Sequence, residues 1–174
     1  MKRFFLTLIL LLFTFVPLRA NSSLNFDGLN DYVQLSNVLN IGSSSHTVEA
    51  WVKVPEVGTG NLSSGERVGI VLGNYGSGNA NVSFEVYSAG QARYYWNAGE
   101  KSFSGTKDLR DGAWHHIAWV RDKSNNKISI YIDGVLDAEE SGAGTDITIT
   151  VKHRIGNDVR SSGNLYFHGS IDEV

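Results

Sequence analysis

Cysteine is absent from the 174 residues, proline occurs twice and methionine once. Without cysteine there is no disulfide frame, no thiol nucleophile and no thiolate metal site, so stability has to come from packing or a bound ion. No stretch of credible length carries apolar residues at helical spacing, which sets aside helical bundles and parallel α/β sheets. Common catalytic patterns are missing as well. There is no Gly-x-Ser-x-Gly elbow and no His-Glu-x-x-His run, and the Gly-rich stretch from Gly73 to Gly78 lacks the Lys-Ser/Thr of a phosphate loop.

Cations are scarce once the N-terminus is set aside. Lys2 and Arg3 precede an apolar run from Phe4 to Phe13, followed by Pro17 and the small residue Ala20. This is the pattern of an export signal over residues 1–20, with a mature chain starting near Asn21. From Phe4 to Leu18 the stretch has 15 residues, short of the roughly 20 that a spanning helix needs, so no membrane insertion is expected after cleavage. Residues 21–174 have the size of one domain. The signal takes three of the 15 Lys and Arg and none of the 18 Asp and Glu, leaving a formal charge of −6 on the remainder. Nucleic acid and anionic membrane surfaces are poor partners for such a chain.

What the sequence does have is glycine, 19 residues of it, and short runs of alternating apolar and polar residues between Gly, Asn, Ser and Asp clusters. From Thr47 to Val54, alternation puts Val48, Ala50, Val52 and Val54 on one face and Thr47, Glu49, Trp51 and Lys53 on the other. Val82 to Tyr87 repeats the pattern with Phe84 and Val86 inward. Further strands are predicted over 91–97, 114–121, 127–133 and 146–151. Asp122 to Asn126 should close a hairpin, and Asp133-Gly134 supplies the positive φ of a tight turn. Pro55 to Gly78 reads as a long loop with one short strand near Val68 to Leu72. Such a chain is all-β, a sandwich or barrel.

Four segments in order narrow the class. They are LNFDGLNDYV over 24–33, TVEAWVK over 47–53, DGAWHHIA over 111–118 followed by IYIDG over 130–134, and GSIDEV over 169–174. Together they resemble the laminin-G-like branch of the concanavalin A-like lectin and glucanase superfamily. The resemblance implies a jelly-roll sandwich of two antiparallel sheets, one concave, with the first and last strands adjacent. Such modules are commonly appendages of larger secreted or surface proteins, and the last strand is expected to run on beyond Val174 into further domains of a longer chain. Glucanases of the superfamily carry carboxylates in a Glu-x-Asp-x-x-Glu run on one strand, and no such run occurs here, so catalysis is not expected.

Two constellations are candidates for binding. If the chain ends are neighbours, the oxygens of Asp27, Asn30, Asp31 and Asp172 could converge on a structural Ca²⁺; alternatively, Asp27 and Asp31 organise their own turn by side-chain to backbone hydrogen bonds. The second constellation is aromatic and polar: Glu49 with Trp51, Tyr87, Arg93 with Tyr95, and Trp119 beside Arg121. Sugar rings stack their C–H faces on such aromatics and offer hydroxyls to planar polar groups, while an aromatic residue of a sandwich can equally belong to the core. The adjacent His115 and His116 point to opposite faces and cannot chelate one ion, and His116 is expected in the core. The expected ligand is a glycan or a glycosylated surface protein. The alternatives are protein–protein adhesion or a structural module of a larger surface protein, and behind them an accessory domain of a glycoside hydrolase or lyase.

Overall fold

The computed structural model describes residues 22–56, 69–74, 81–97, 100–157 and 166–174. The signal expected over 1–20 lies outside these residues, as does most of the loop expected between Pro55 and Gly78.

Twelve strands among the described residues form two six-stranded antiparallel sheets. The first contains β1 (Leu24–Asp27), β3 (His46–Lys53), β8 (Trp114–Asp122), β9 (Lys127–Ile132), β10 (Val135–Ser141) and β12 (His168–Asp172), in the order β1-β12-β3-β8-β9-β10. The second contains β2 (Val33–Gln34), β4 (Gly69–Asn74), β5 (Val82–Val86), β6 (Ala92–Trp96), β7 (Lys101–Ser104) and β11 (Arg154–Ile155), in the order β2-β11-β4-β5-β6-β7. The chain ends meet as expected: Leu24 pairs with Ile171 and Phe26 with Gly169. This is the jelly-roll sandwich implied by the sequence segments.

Period-two alternation decides which side chains fill the space between the sheets. Val48, Ala50, Val52, Ile117, Trp119, Ile128, Ile130 and Ile132 come from the first sheet; Val82, Phe84, Val86, Ala92, Tyr94 and Trp96 face them from the second. Burial of each large side chain contributes roughly 2 kcal/mol, which explains why the register cannot slip by one. Phe84 anchors the interface, with ring centroids 5.5 Å from Tyr94 and 5.7 Å from Trp119. The two hairpin turns form where expected. Asp122 accepts hydrogen bonds from the Asn125 amide and side chain, while Asp133 and Gly134 hold φ of 53° and 78° between β9 and β10.

The strand predicted over 146–151 is not formed. Arg121, fully buried, donates to the carbonyls of Ala143, Gly144 and Thr145 and to the Asp146 side chain, which fixes the chain just before this stretch. The apolar alternation still serves the core: Ile149 is buried and Ile147 packs against it. Conversely, β7 and β10 were not expected; β10 is polar and interrupted by a bulge between Leu136 and Ala138.

Candidate functional site

On the outer face of the first sheet, alternation displays Thr47, Glu49, Trp51 and Lys53 of β3 beside Trp114, His116, Ala118 and Val120 of β8. Trp51 pairs with His116 across the two strands and with Asp172 on its other side, while Trp114 pairs with Lys53. Both indoles remain 38–39% exposed, which leaves roughly 2 kcal/mol of potential burial unused at each. They rim a hollow of about 500 Å³ lined by Ser23, Trp51, Trp114, Asp172 and Glu173. The His116 ring sits 5.4 Å from that of Trp51, and its Nε2 lies 3.5 Å from Glu49 Oε2.

Trp114 is presented by a braced turn. Gly112, at φ 73°, donates its amide to the Val54 carbonyl, and Asp111 accepts from the Ala113 amide. The buried His115 spans two acids, with Nε2 3.1 Å from Asp111 Oδ2 and Nδ1 2.8 Å from Asp133 Oδ2. Burial opposes ionisation of Asp133, but hydrogen bonds from Lys107, His115 and the His116 amide outweigh it and hold the carboxyl at about 2. Sequence reasoning missed Trp114 as a surface residue, although it shares strand parity with His116. The expectation that His116 lies in the core is corrected: His115 faces inward and His116 outward, because Ile117, Trp119 and Arg121 set the buried parity of β8.

The other predicted ligand residues lie elsewhere. Trp119 is 0% exposed and packs against Phe84, so its place on a binding face is corrected to the core. Tyr87, Arg93 and Tyr95 sit on the outer face of the second sheet, across the core from Glu49 and Trp51. A short turn over Ser88–Gly90, with Ala89 and Gly90 both at positive φ, closes on a Tyr87 amide to Gln91 carbonyl bond. It brings the Tyr87 ring centroid to 4.0 Å from the Arg93 guanidinium carbon, with Tyr95 at 5.2 Å. Arg93 Nε and Nη2 both donate to Ser102 Oγ, at 3.2 and 2.9 Å. Glu85, on the same face, is 1% exposed and accepts from Ser83 Oγ. The six residues therefore form two faces and a core contact, not one platform.

Asp172 stands apart from the other expected Ca²⁺ ligands. Antiparallel pairing sets Asp27 opposite His168, which leaves Asp172 four residues further along β12, roughly 13 Å away at strand rise. Asp27 Oδ1 accepts from the Leu29 amide and Asp31 Oδ2 from the Asp27 amide, so these carboxylates organise the turn. Among the described residues no group of three or more His, Asp or Glu could hold a metal ion.

A family model described as the concanavalin A-like lectin/glucanases superfamily (Laminin_G_3) matches residues 26–174. No curated protein matches the sequence. Among solved structures, domains LG4-5 of the mouse laminin alpha1 chain align over 84% of this chain at 13% identity and a TM-score of 0.59; this chain spans only 39% of that one. The CBM40 module of Ruminococcus gnavus IT-sialidase, bound to alpha2,3 sialyllactose, aligns over 84% of this chain and 89% of its own at 16% identity and TM-score 0.59. Domain 4 of AbnA, an extracellular arabinanase from Geobacillus stearothermophilus in complex with arabinotriose, aligns over 86% and 62% at 19% identity and TM-score 0.52.

Proposed function

The chain belongs to the concanavalin A-like lectin/glucanases superfamily, and on that premise we propose that it is a secreted, non-catalytic module that binds carbohydrate in the Trp51–Trp114 hollow. The carrying observation is the pair of half-exposed indoles on neighbouring strands beside the carboxylates of Asp172 and Glu173. Indole faces stack on the C–H faces of a sugar ring, and carboxylates accept from its hydroxyls. The sugar-bound states of two structural neighbours support the ligand class. Secretion rests on the signal pattern of residues 1–20 alone.

The placement of the carboxylates supports a non-catalytic module. Glu49 stands on β3 of the first sheet and Glu85 on β5 of the second, so these two cannot pair across strands as nucleophile and acid. A calcium brace that joins Asp172 to Asp27 is not part of the proposal, because strand pairing sets the two far apart.

A glycan array probed with the purified chain tests the reading. Binding to one or more oligosaccharides, weakened at least tenfold by Trp51→Ala or Trp114→Ala with the fold intact, is the expected result. An array blank for the folded protein would refute it and leave adhesion to a protein surface as the surviving reading.

A further inference from the structure

Six of the ten Lys and Arg side chains among the described residues pair with a specific acid. Arg110 pairs with Asp108, Arg121 and Lys123 with Asp146, Lys101 with Glu140, Lys107 with Asp133 and Lys127 with Glu139. Arg93, like Lys53, Lys152 and Arg154, has no carboxylate within ion-pair distance among the described residues. Its cross-strand partner is Glu85, whose carboxylate accepts from Ser83. Arg93 is half-buried at the second position of β6, and its side chain meets one neutral hydroxyl, Ser102 Oγ, and two tyrosine rings.

That environment orders the guanidinium without a direct ion pair to it. The rings of Tyr87 and Tyr95 restrict its tilt, and Ser102 anchors the Nε edge. A guanidinium carries five N–H donors in a fixed fork, so donors remain after the two directed at Ser102. A fork of this kind matches a carboxylate in bidentate fashion, and holding it in place beforehand removes part of the ordering cost of binding. Arg154 also lies over a tyrosine, Tyr32, but it has side-chain amide partners in Gln34 and Asn157.

We propose that Arg93, framed by Tyr87, Tyr95 and Ser102, is a second binding site, on the face opposite the tryptophan hollow, for the carboxylate of an acidic sugar. The proposal rests on the reading that the chain binds carbohydrate, and not on the Trp51–Trp114 site. The net charge of the folded part does not oppose it, because at physiological salt charges beyond about 8 Å are largely screened and the local pairing decides.

The test is calorimetric titration of the purified chain with trigalacturonic acid, its methyl ester, and a sulfated oligosaccharide without carboxylates. The expected result is binding of the acid, at least tenfold weaker binding of the ester, and at least tenfold loss of acid binding in Arg93→Gln. Arg93→Lys should recover only part of it, since the charge returns without the fork. Trp51→Ala should bind the acid as the parent does, which separates this site from the proposed neutral-glycan site. Equal binding of acid by parent and Arg93→Gln, at unchanged melting temperature, would overturn the proposal. So would no binding of the acid by the parent, or binding of the sulfated sugar alone.

Discussion

The guanidinium of Arg121 lies 4.4 Å above the indole ring of Trp96, in a site where both side chains are fully buried. The same arginine reaches carbonyls from two loops, at Gly42 and Ser44 and at Ala143 to Thr145, so one charge staples both loops to the end of the sandwich. Removing it leaves several acceptors unpaired in a low-dielectric site. Arg121→Met should destabilise the fold by about 3–5 kcal/mol in urea unfolding, whereas Asp146→Asn, at the exposed end of the network, should cost far less.

Gly156, at φ 82°, sits where a Cβ would lie 2.2 Å from Cε1 of Phe26. Phe26 is the core residue of β1 and packs edge-on to Phe167, centroids 6.2 Å apart. Gly156→Ala would combine a disfavoured backbone with overpacking, and a loss of about 2 kcal/mol or more is expected. Thermal unfolding checks it, and Gly134→Ala serves as the reference, because nothing lies within 4 Å of a Cβ there.

Acid should weaken the fold in two stages. His153 is fully buried with neither ring nitrogen hydrogen-bonded, and burial pushes its pKa from 6.5 to about 4. The unfolded chain therefore takes up this proton first, so the stability the neutral ring permits is complete above pH 6.5 and is lost between 6.5 and about 4. The loss amounts to about 3 kcal/mol. Burial also lowers the pKa of His46, with the same sign. Below pH 4 the depressed carboxylates follow, Asp133 among them, whose contribution is lost as pH falls from 3.8 towards 2. Urea midpoints measured from pH 7 to pH 4 should fall, and His153→Leu should flatten that fall; a midpoint indifferent to pH in the parent would contradict this account.

Much of the fold was legible because strand periodicity is local. β3, β5, β8 and β9 follow from alternation alone, and their turns from Asp, Asn and Gly at fixed positions. The failures come from tertiary choices. Residues 146–151 alternate like a strand, but a distant arginine claims the preceding carbonyls. Arg121 also shows why the parity of β8 was misread: a charged residue suggests an outer face, yet a ring of carbonyls stabilises it inside and takes Trp119 with it. The outer faces of β3 and β6 were legible strand by strand and not as a set, since the pattern along a strand says which residues share a face and not which sheet that strand joins. Glu49 with Trp51 and Arg93 with Tyr95 were correctly paired on their strands, and the core separates the two pairs.

His115 should act as a positioning residue for Trp114. His115→Gln loses the contact to at least one of Asp111 and Asp133, and the expected effect is a threefold to tenfold weaker affinity for any sugar bound at the hollow, with acid-sugar binding at Arg93 unchanged. Titration of both ligand types on the one variant checks it; equal losses at both sites would mean a general effect on the fold.

Carbohydrate binding in the hollow can be followed by the indole N–H resonances of the four tryptophans during titration with an oligosaccharide that binds. Trp96 donates its Nε1 to the Thr145 carbonyl and Trp119 is enclosed in the core, while Trp51 and Trp114 border the hollow. The signals of Trp51 and Trp114 should move to saturation with a common dissociation constant while those of Trp96 and Trp119 stay in place. Saturation of the ligand with both surface indoles unmoved would contradict it.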